Sequence, residues 1–279
     1  MRALAEYVMR SRKHALIVSA VSVATLLLYW LGAAVIALTT LRQGVKEGAY
    51  IWFWCLLPAL WLASQGEVGP ILVLTGSLLS ASLLRTTHSM PLALIAISAF
   101  CFVFALLLFG LKPTPLMTLH AQVEQMVQNF QATVEGLEQF PLPSLSQLVS
   151  VLALFSALGT VICMLVGRAM QASLDRPGAF KQEFHGLRMP ANLAVAVLIA
   201  SLAVSLLFEG AVYWSLIIVL PLFICGLAIV HYQSAKMRGS GLLVFVYLFV
   251  VLVNPAAALI VALGFIDSWV DFRKRLSAK

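Results

Sequence analysis

The chain has 279 residues, 62% of them hydrophobic and 10% charged, with a mean hydropathy of +0.99. Soluble domains are roughly 45–50% apolar and about 25% charged, so this composition excludes an ordinary soluble protein and reads as an integral membrane protein. The net charge of +7 does not imply a nucleic-acid partner, because the basic residues sit in short segments between hydrophobic runs, where they set membrane topology.

Residues 1–14 carry Arg2, Arg10, Arg12 and Lys13 against Glu6 alone, which marks this end as cytoplasmic. Uncharged runs follow at 15–41, 48–66, 68–84, 89–111, 139–167, 189–208, 210–230 and 239–266. The first run has 27 residues, which as one helix would measure about 40 Å against a hydrocarbon core of roughly 30 Å. Tyr29-Trp30-Leu31-Gly32, an interfacial aromatic pair with a glycine, predicts a break there. The last run is equally over-long and is interrupted at Asn254-Pro255, where proline removes a helical hydrogen bond.

The distribution of basic residues decides between one pass and two for these end segments. If every run crosses once, the eighteen Lys and Arg residues divide nine to nine between the two sides. If both end segments go in and return, seventeen lie on the inner side with both termini, and Lys112 alone lies outside. The second arrangement obeys the positive-inside rule, and its short half-segments are re-entrant or shallow, as membrane-depth backbone can be when protein buries it.

On that topology residues 112–146 form the external loop, and Val123, Met126, Val127, Phe130, Val134 and Leu137 recur at helical spacing, predicting an amphipathic helix over 118–138. Residues 168–190 form a cytoplasmic loop with Arg168, Arg176, Lys181 and Arg188. Its Asp175-Arg176-Pro177-Gly178 turn leads into Phe180, Phe184 and Leu187 on one face, a short amphipathic helix along the membrane surface. The expected fold is all-α: one domain over 1–279, a polytopic transmembrane bundle of about 8 to 10 hydrophobic segments with one external amphipathic helix.

Chemistry is sparse. The runs hold no Asp, Glu, His, Lys or Arg, which disfavours ion-coupled transport, and Glu47, Glu67, Arg85 and His88 at run ends read as solvated or snorkelling anchors. Cys55, Cys101, Cys163 and Cys225 are dispersed in apolar sequence and read as small buried residues. No hydrolase, metalloprotease or phosphate-loop motif is present, so neither an enzyme nor a cofactor is expected. Gly44 and Gly48 read as a turn and helix start, whereas Ala20 and Ala24 form a small-residue face that a partner membrane protein could approach. Phe180, Phe184 and Arg188 complete the candidate docking face. Broken segments leave backbone groups that must meet protein, water or ligand, so Trp30, Gly32, Asn254 and Pro255 form the candidate ligand region.

Three stretches, Leu41 to Gly48, Pro177 to Pro190 and Gly264 to Arg273, resemble the YybS-like family of bacterial membrane proteins of unknown function. That family is remotely similar to the substrate-binding membrane subunits of energy-coupling-factor vitamin transporters. The resemblance implies both termini inside, an inner-membrane location, small-residue faces that dock an energising subunit, and a small-molecule solute. It carries over no binding residues. The rival expectation is a structural or regulatory membrane protein that docks other proteins without a ligand; membrane lipids are partners in either case.

The topology makes a direct prediction. In a background lacking the four native cysteines, a cysteine at Gln43 should resist an impermeant thiol reagent in intact cells while one at Gln131 reacts. The reverse labelling pattern would invert the assignment.

Overall fold

The computed structural model describes residues 1–133, 141–207, 212–237, 241–252 and 256–277, and every regular element among them is an α-helix. In chain order these are α1 (Arg2–Val8), α2 (Arg12–Ala24), α3 (Tyr29–Gln43), α4 (Val45–Ser64), α5 (Gly69–Thr87), α6 (Met90–Leu111) and α7 (Thr114–Thr133). Then come α8 (Leu145–Asp175), α9 (Ala179–His185), α10 (Ala191–Leu207), α11 (Val212–Lys236), α12 (Gly241–Leu252), α13 (Ala256–Val270) and α14 (Phe272–Ser277). Four of them, α5, α6, α8 and α11, are long and apolar enough to cross a membrane, and α10, α12 and α13 are shorter apolar helices.

Local chemistry sets the boundaries. Ser11 and Ser89 cap α2 and α6 by accepting backbone N–H bonds from His14 and Leu92, and Ser144 with Gln147 closes a capping box at the start of α8. His88 and Lys112 end α5 and α6 in the left-handed conformation, with φ of 52° and 45°. Gly44 at φ 116° makes the turn between α3 and α4, as its position in the sequence predicts.

The first over-long run is broken, but earlier than its aromatic pair suggests. The interruption covers residues 25–28, where Leu26 adopts φ 49°, and Tyr29 already opens α3. Gly32 serves packing instead: a Cβ there would lie 2.9 Å from Ser19 O and 3.0 Å from Val23. Ser19 and Val23 are one turn apart on α2 and about as far before the break as Gly32 is after it, so α2 and α3 fold back as a hairpin. In the last run α12 ends at Leu252 and α13 begins at Ala256; Asn254 and Pro255 lie outside the described residues.

Two other expectations are corrected. The amphipathic helix α7 begins at Thr114, with Pro115 in its first turn, and residues 134–138 of its expected span lie outside the described residues. It is held near its start, where Leu116 is buried and the His120 ring lies 2.9 Å from Pro143 O. Helix α9 forms as expected, but its apolar face turns onto the protein: Phe180 stacks on Phe184, and the Phe184 ring sits 5.3 Å from that of His231 in α11.

The interior comprises two clusters that share α8. One gathers α1 to α5 around Val35, Ile36, Ile51 and Leu74, and the other gathers α6, α10, α11 and α13 around Leu94, Ile97, Trp214 and Ile217. Small residues bring the helices close. A Cβ on Gly167 of α8 would lie 2.7 Å from the Ala37 Cβ and 3.0 Å from Ala34 O of α3. Gly226 of α11 and Gly264 of α13 abut so tightly that a Cβ on Gly226 would overlap the Ile260 carbonyl oxygen. The buried threonine hydroxyls at such crossings bond back into their own helices, Thr40 to Ile36 O at 2.7 Å and Thr160 to Ser156 O at 2.7 Å.

The α11–α13 crossing is therefore the sharpest packing test. Gly226→Ala should cost about 1–3 kcal/mol through forced separation of the helices. Gly110→Ala, whose Cβ would meet open space, should leave the thermal midpoint in detergent nearly unchanged. Equal midpoints for the two variants would mean that the helices do not meet at Gly226.

Candidate functional site

With 31 residues α8 is about 46 Å long, so it outruns a core of roughly 30 Å. Its last two turns carry Arg168, Gln171 and Asp175 beyond the apolar stretch. There they meet the C-terminal end of α3, whose final carbonyls have no partner within the helix. Arg85, in the last turn of α5, donates through Nη1 to Leu41 O and to Thr40 O at 3.4 Å, and Gln171 Nε2 donates to Leu41 O at 3.4 Å. A cation at a helix C-terminus also complements the macrodipole.

Helix α9 closes the group from the side. Arg168 grips the Glu183 carboxylate through Nε, at 2.8 Å, and Nη2, and donates through Nη1 to Gln171 Oε1 at 2.7 Å. Between these side chains lies a cavity of about 690 Å³. Leu41 and Leu84, 5% and 7% exposed, form its floor, while Arg85, His88 and Glu183 are exposed around its mouth. The arrangement is a depression with an apolar base and a charged rim.

A second polar cluster ties the C-terminal segment to the same end. Arg188 donates to Asp267 O at 2.8 Å, Ser268 O at 2.9 Å and Asp271 Oδ2 at 3.1 Å. Arg273 donates to His185 O at 2.5 Å, Leu187 O at 2.7 Å and Asp267 Oδ2 at 2.5 Å. Asp267 is 1% exposed and also accepts the Phe272 N–H, so its charge is both paired and hydrogen-bonded. Burial opposes ionisation of Asp271, but the Lys274 N–H and the charges of Arg188 and Lys274 outweigh it and lower its pKa. Arg12–Glu47 and Arg42–Asp175 pairs add the N-terminal segment and the α3–α4 turn. Both terminal regions and the turns at 42–47, 85–88 and 168–190 thus share one end of the bundle.

The residues singled out from sequence are dispersed. Trp30 lies in the first turn of α3, 43% exposed with its indole N–H on Leu27 O, and Gly32 is closed against α2. They lie about 16 Å along α3 from Leu41, which floors the cavity. The other half of that candidate region, Asn254 and Pro255, is outside the described residues. On α2, Ala24 is exposed and Ala20 half-buried, while the neighbouring Ser19 and Val23 face inward. Phe180 and Phe184 pack inward, and Arg188 is occupied by the C-terminal segment.

The cavity residues had only a weak signature in the sequence. Arg85 and His88 are single charges at a run end, the ordinary position of a snorkelling anchor. What unites them with Arg168 and Gln171 is the packing of α5 on α8, where a Cβ on Gly76 would lie 2.8 Å from Thr160 Cγ2. Asp267 stands one residue past the last run, and its partner Arg273 among the terminal basic residues looks like a topology signal.

All four cysteines are free and buried, and among the described residues no group of three or more His, Cys, Asp or Glu side chains is positioned for a metal ion. Fold and site define a helical membrane protein with a polar cavity at one end of its bundle. Compared with known proteins, the chain matches no family model, no curated protein and no solved structure.

His185 reports on this end of the bundle. Burial, then the charges of Lys181, His231 and Arg273, lower its pKa below the ordinary 6.5, and its ring is edge-on to Tyr232. As pH falls below about 6.5 the unfolded chain takes up a proton that the folded one resists, so stability present above that pH is lost on acidification. Between about pH 7.5 and about pH 5.5 the thermal midpoint should fall further for the wild type than for His185→Gln. Equal falls would assign the acid sensitivity to another group.

Proposed function

We propose that this chain is a multi-pass inner-membrane protein of bacterial type that binds a small solute in the cavity formed by α3, α5, α8 and α9. It acts as the substrate-binding component of a transport system whose energy comes from a partner subunit or from the solute gradient. The observation that carries the reading is the cavity itself: about 690 Å³, within the range of small-molecule sites, with an apolar floor and convergent polar side chains. A protein that only docked other proteins would have no need of it.

On this reading the cavity end faces the cytoplasm, with both termini, because the sequence assigns seventeen of its eighteen basic residues to that side. The bundle comprises about 8 to 10 membrane segments once the shorter apolar helices and the α2–α3 hairpin are counted with the four long ones. Resemblance of the 41–48, 177–190 and 264–273 stretches to the YybS-like family fits a role related to the energy-coupling-factor binding subunits. The exposed Ala24 side of α2 is the small-residue face left for a partner subunit.

The test is purification in mild detergent followed by mass spectrometry of the bound small molecules, for the wild type and for Leu84→Phe, which fills the cavity floor. A solute retained by the wild type should fall about tenfold in the variant, the loss of roughly 1.4 kcal/mol of binding, at an unchanged elution profile. Equal retention by both proteins would remove the cavity as the site.

A further inference from the structure

We infer that the cavity bounded by Arg85, His88, Arg168 and Gln171 takes a phosphate group, carried by a soluble phosphorylated molecule or by a lipid headgroup. The inference rests on the proposed binding role of this cavity and specifies its ligand chemistry.

Around the cavity, hydrogen-bond donors outnumber free acceptors. Arg85 uses only Nη1, on the α3 carbonyls, and its Nε–H and both Nη2 hydrogens meet no acceptor among the described residues. The His88 ring has no hydrogen-bonding partner among the described residues and offers an N–H in either protonation state. Arg168 is engaged through all three nitrogens, yet each of its Nη atoms retains a second hydrogen, and Gln171 Nε2 retains one. Acceptors are scarce. Both Glu183 oxygens already take Arg168 hydrogens, and Gln171 Oε1 takes another.

Charge points the same way. Arg168 and Glu183 cancel, which leaves the positive charge of Arg85 beside the cavity without a carboxylate partner. The unmet donors come from two helices and outnumber what the two oxygens of a carboxylate would occupy. A phosphate monoester, with three terminal oxygens and up to two charges, matches them in number and in sign. The cavity is much larger than one phosphate, so the group belongs to a larger molecule whose apolar part meets Leu41 and Leu84. Its position where α8 leaves the apolar thickness is also the level of lipid headgroups, where basic pockets between membrane helices receive phosphate.

The experiment places the full-length protein in phosphatidylcholine nanodiscs and follows thermal unfolding by tryptophan fluorescence. One arm adds inorganic phosphate against chloride at matched ionic strength. The other replaces about a fifth of the lipid with phosphatidic acid, whose headgroup is a phosphate monoester. A midpoint rise of about 2 °C or more is expected in at least one arm. A response to inorganic phosphate identifies a soluble phosphorylated ligand, and a response confined to phosphatidic acid identifies a headgroup; either supports the inference.

Arg85→Lys keeps the charge and a donor for the α3 carbonyls but loses the remaining guanidinium N–H groups, and His88→Ala leaves those carbonyl bonds untouched. Each should cut the rise by half or more, whereas Arg10→Gln, at the exposed N-terminal segment, should retain it. No rise in either arm, or a rise equal in all variants, overturns the inference. A neutral or cationic solute that leaves with Leu84→Phe would overturn the phosphate assignment while the binding role stands; absence of any solute and of any rise would remove both.

Discussion

The close approach of α8 to α3 and α5 is the constraint on which the rest of the bundle depends. Between apolar helices in lipid there is no hydrophobic gain from association, so contact must come from dispersion and from backbone proximity, which small residues permit. Gly167 admits Ala34 and Ala37 of α3, and Gly76 of α5 admits Thr160 of α8. Side chains at those points would push the helices apart. The carbonyl end of α3 would then lie beyond reach of Arg85 and Gln171, and the cavity would lose its floor.

Most ion pairs among the described residues stand at one end of the molecule, because the basic residues are gathered there. Exposed pairs such as Arg2–Glu6 contribute little, about 0–1 kcal/mol each. The Asp267–Arg273 pair differs, since removing one partner would strand a buried charge at a cost of about 3–5 kcal/mol. Arg273 also takes up the His185 and Leu187 carbonyls after α9, and Arg188 takes up those that end α13. The C-terminal segment is thereby fastened to the loop that supplies Glu183 to the cavity, which links the two polar clusters through α9.

A transport-type role is compatible with the lack of ionisable groups in the apolar runs. The charges that matter stand just past the ends of the apolar runs, where water and headgroups reduce their desolvation cost. Arg85 illustrates how such a residue differs from a simple anchor. Two carbonyls orient its guanidinium, which leaves a directed set of donors instead of a freely solvated charge.

Helical class, the positions of the apolar segments and the interruption of the first run were legible in the sequence, because hydrocarbon forces backbone hydrogen bonds inside each helix and composition records that requirement directly. Gly44 was legible for the same reason, since it acts on its own few residues. The break before Trp30 and the inward turn of Phe180 and Phe184 were decided by packing, as Gly32 found α2 and the two rings found the core. The cavity was decided by tertiary structure alone. Arg85 and Arg168 are 83 positions apart in the sequence, and only the crossing of α5 and α8 through Gly76 and Thr160 brings their charges to one site, a juxtaposition that no local pattern encodes.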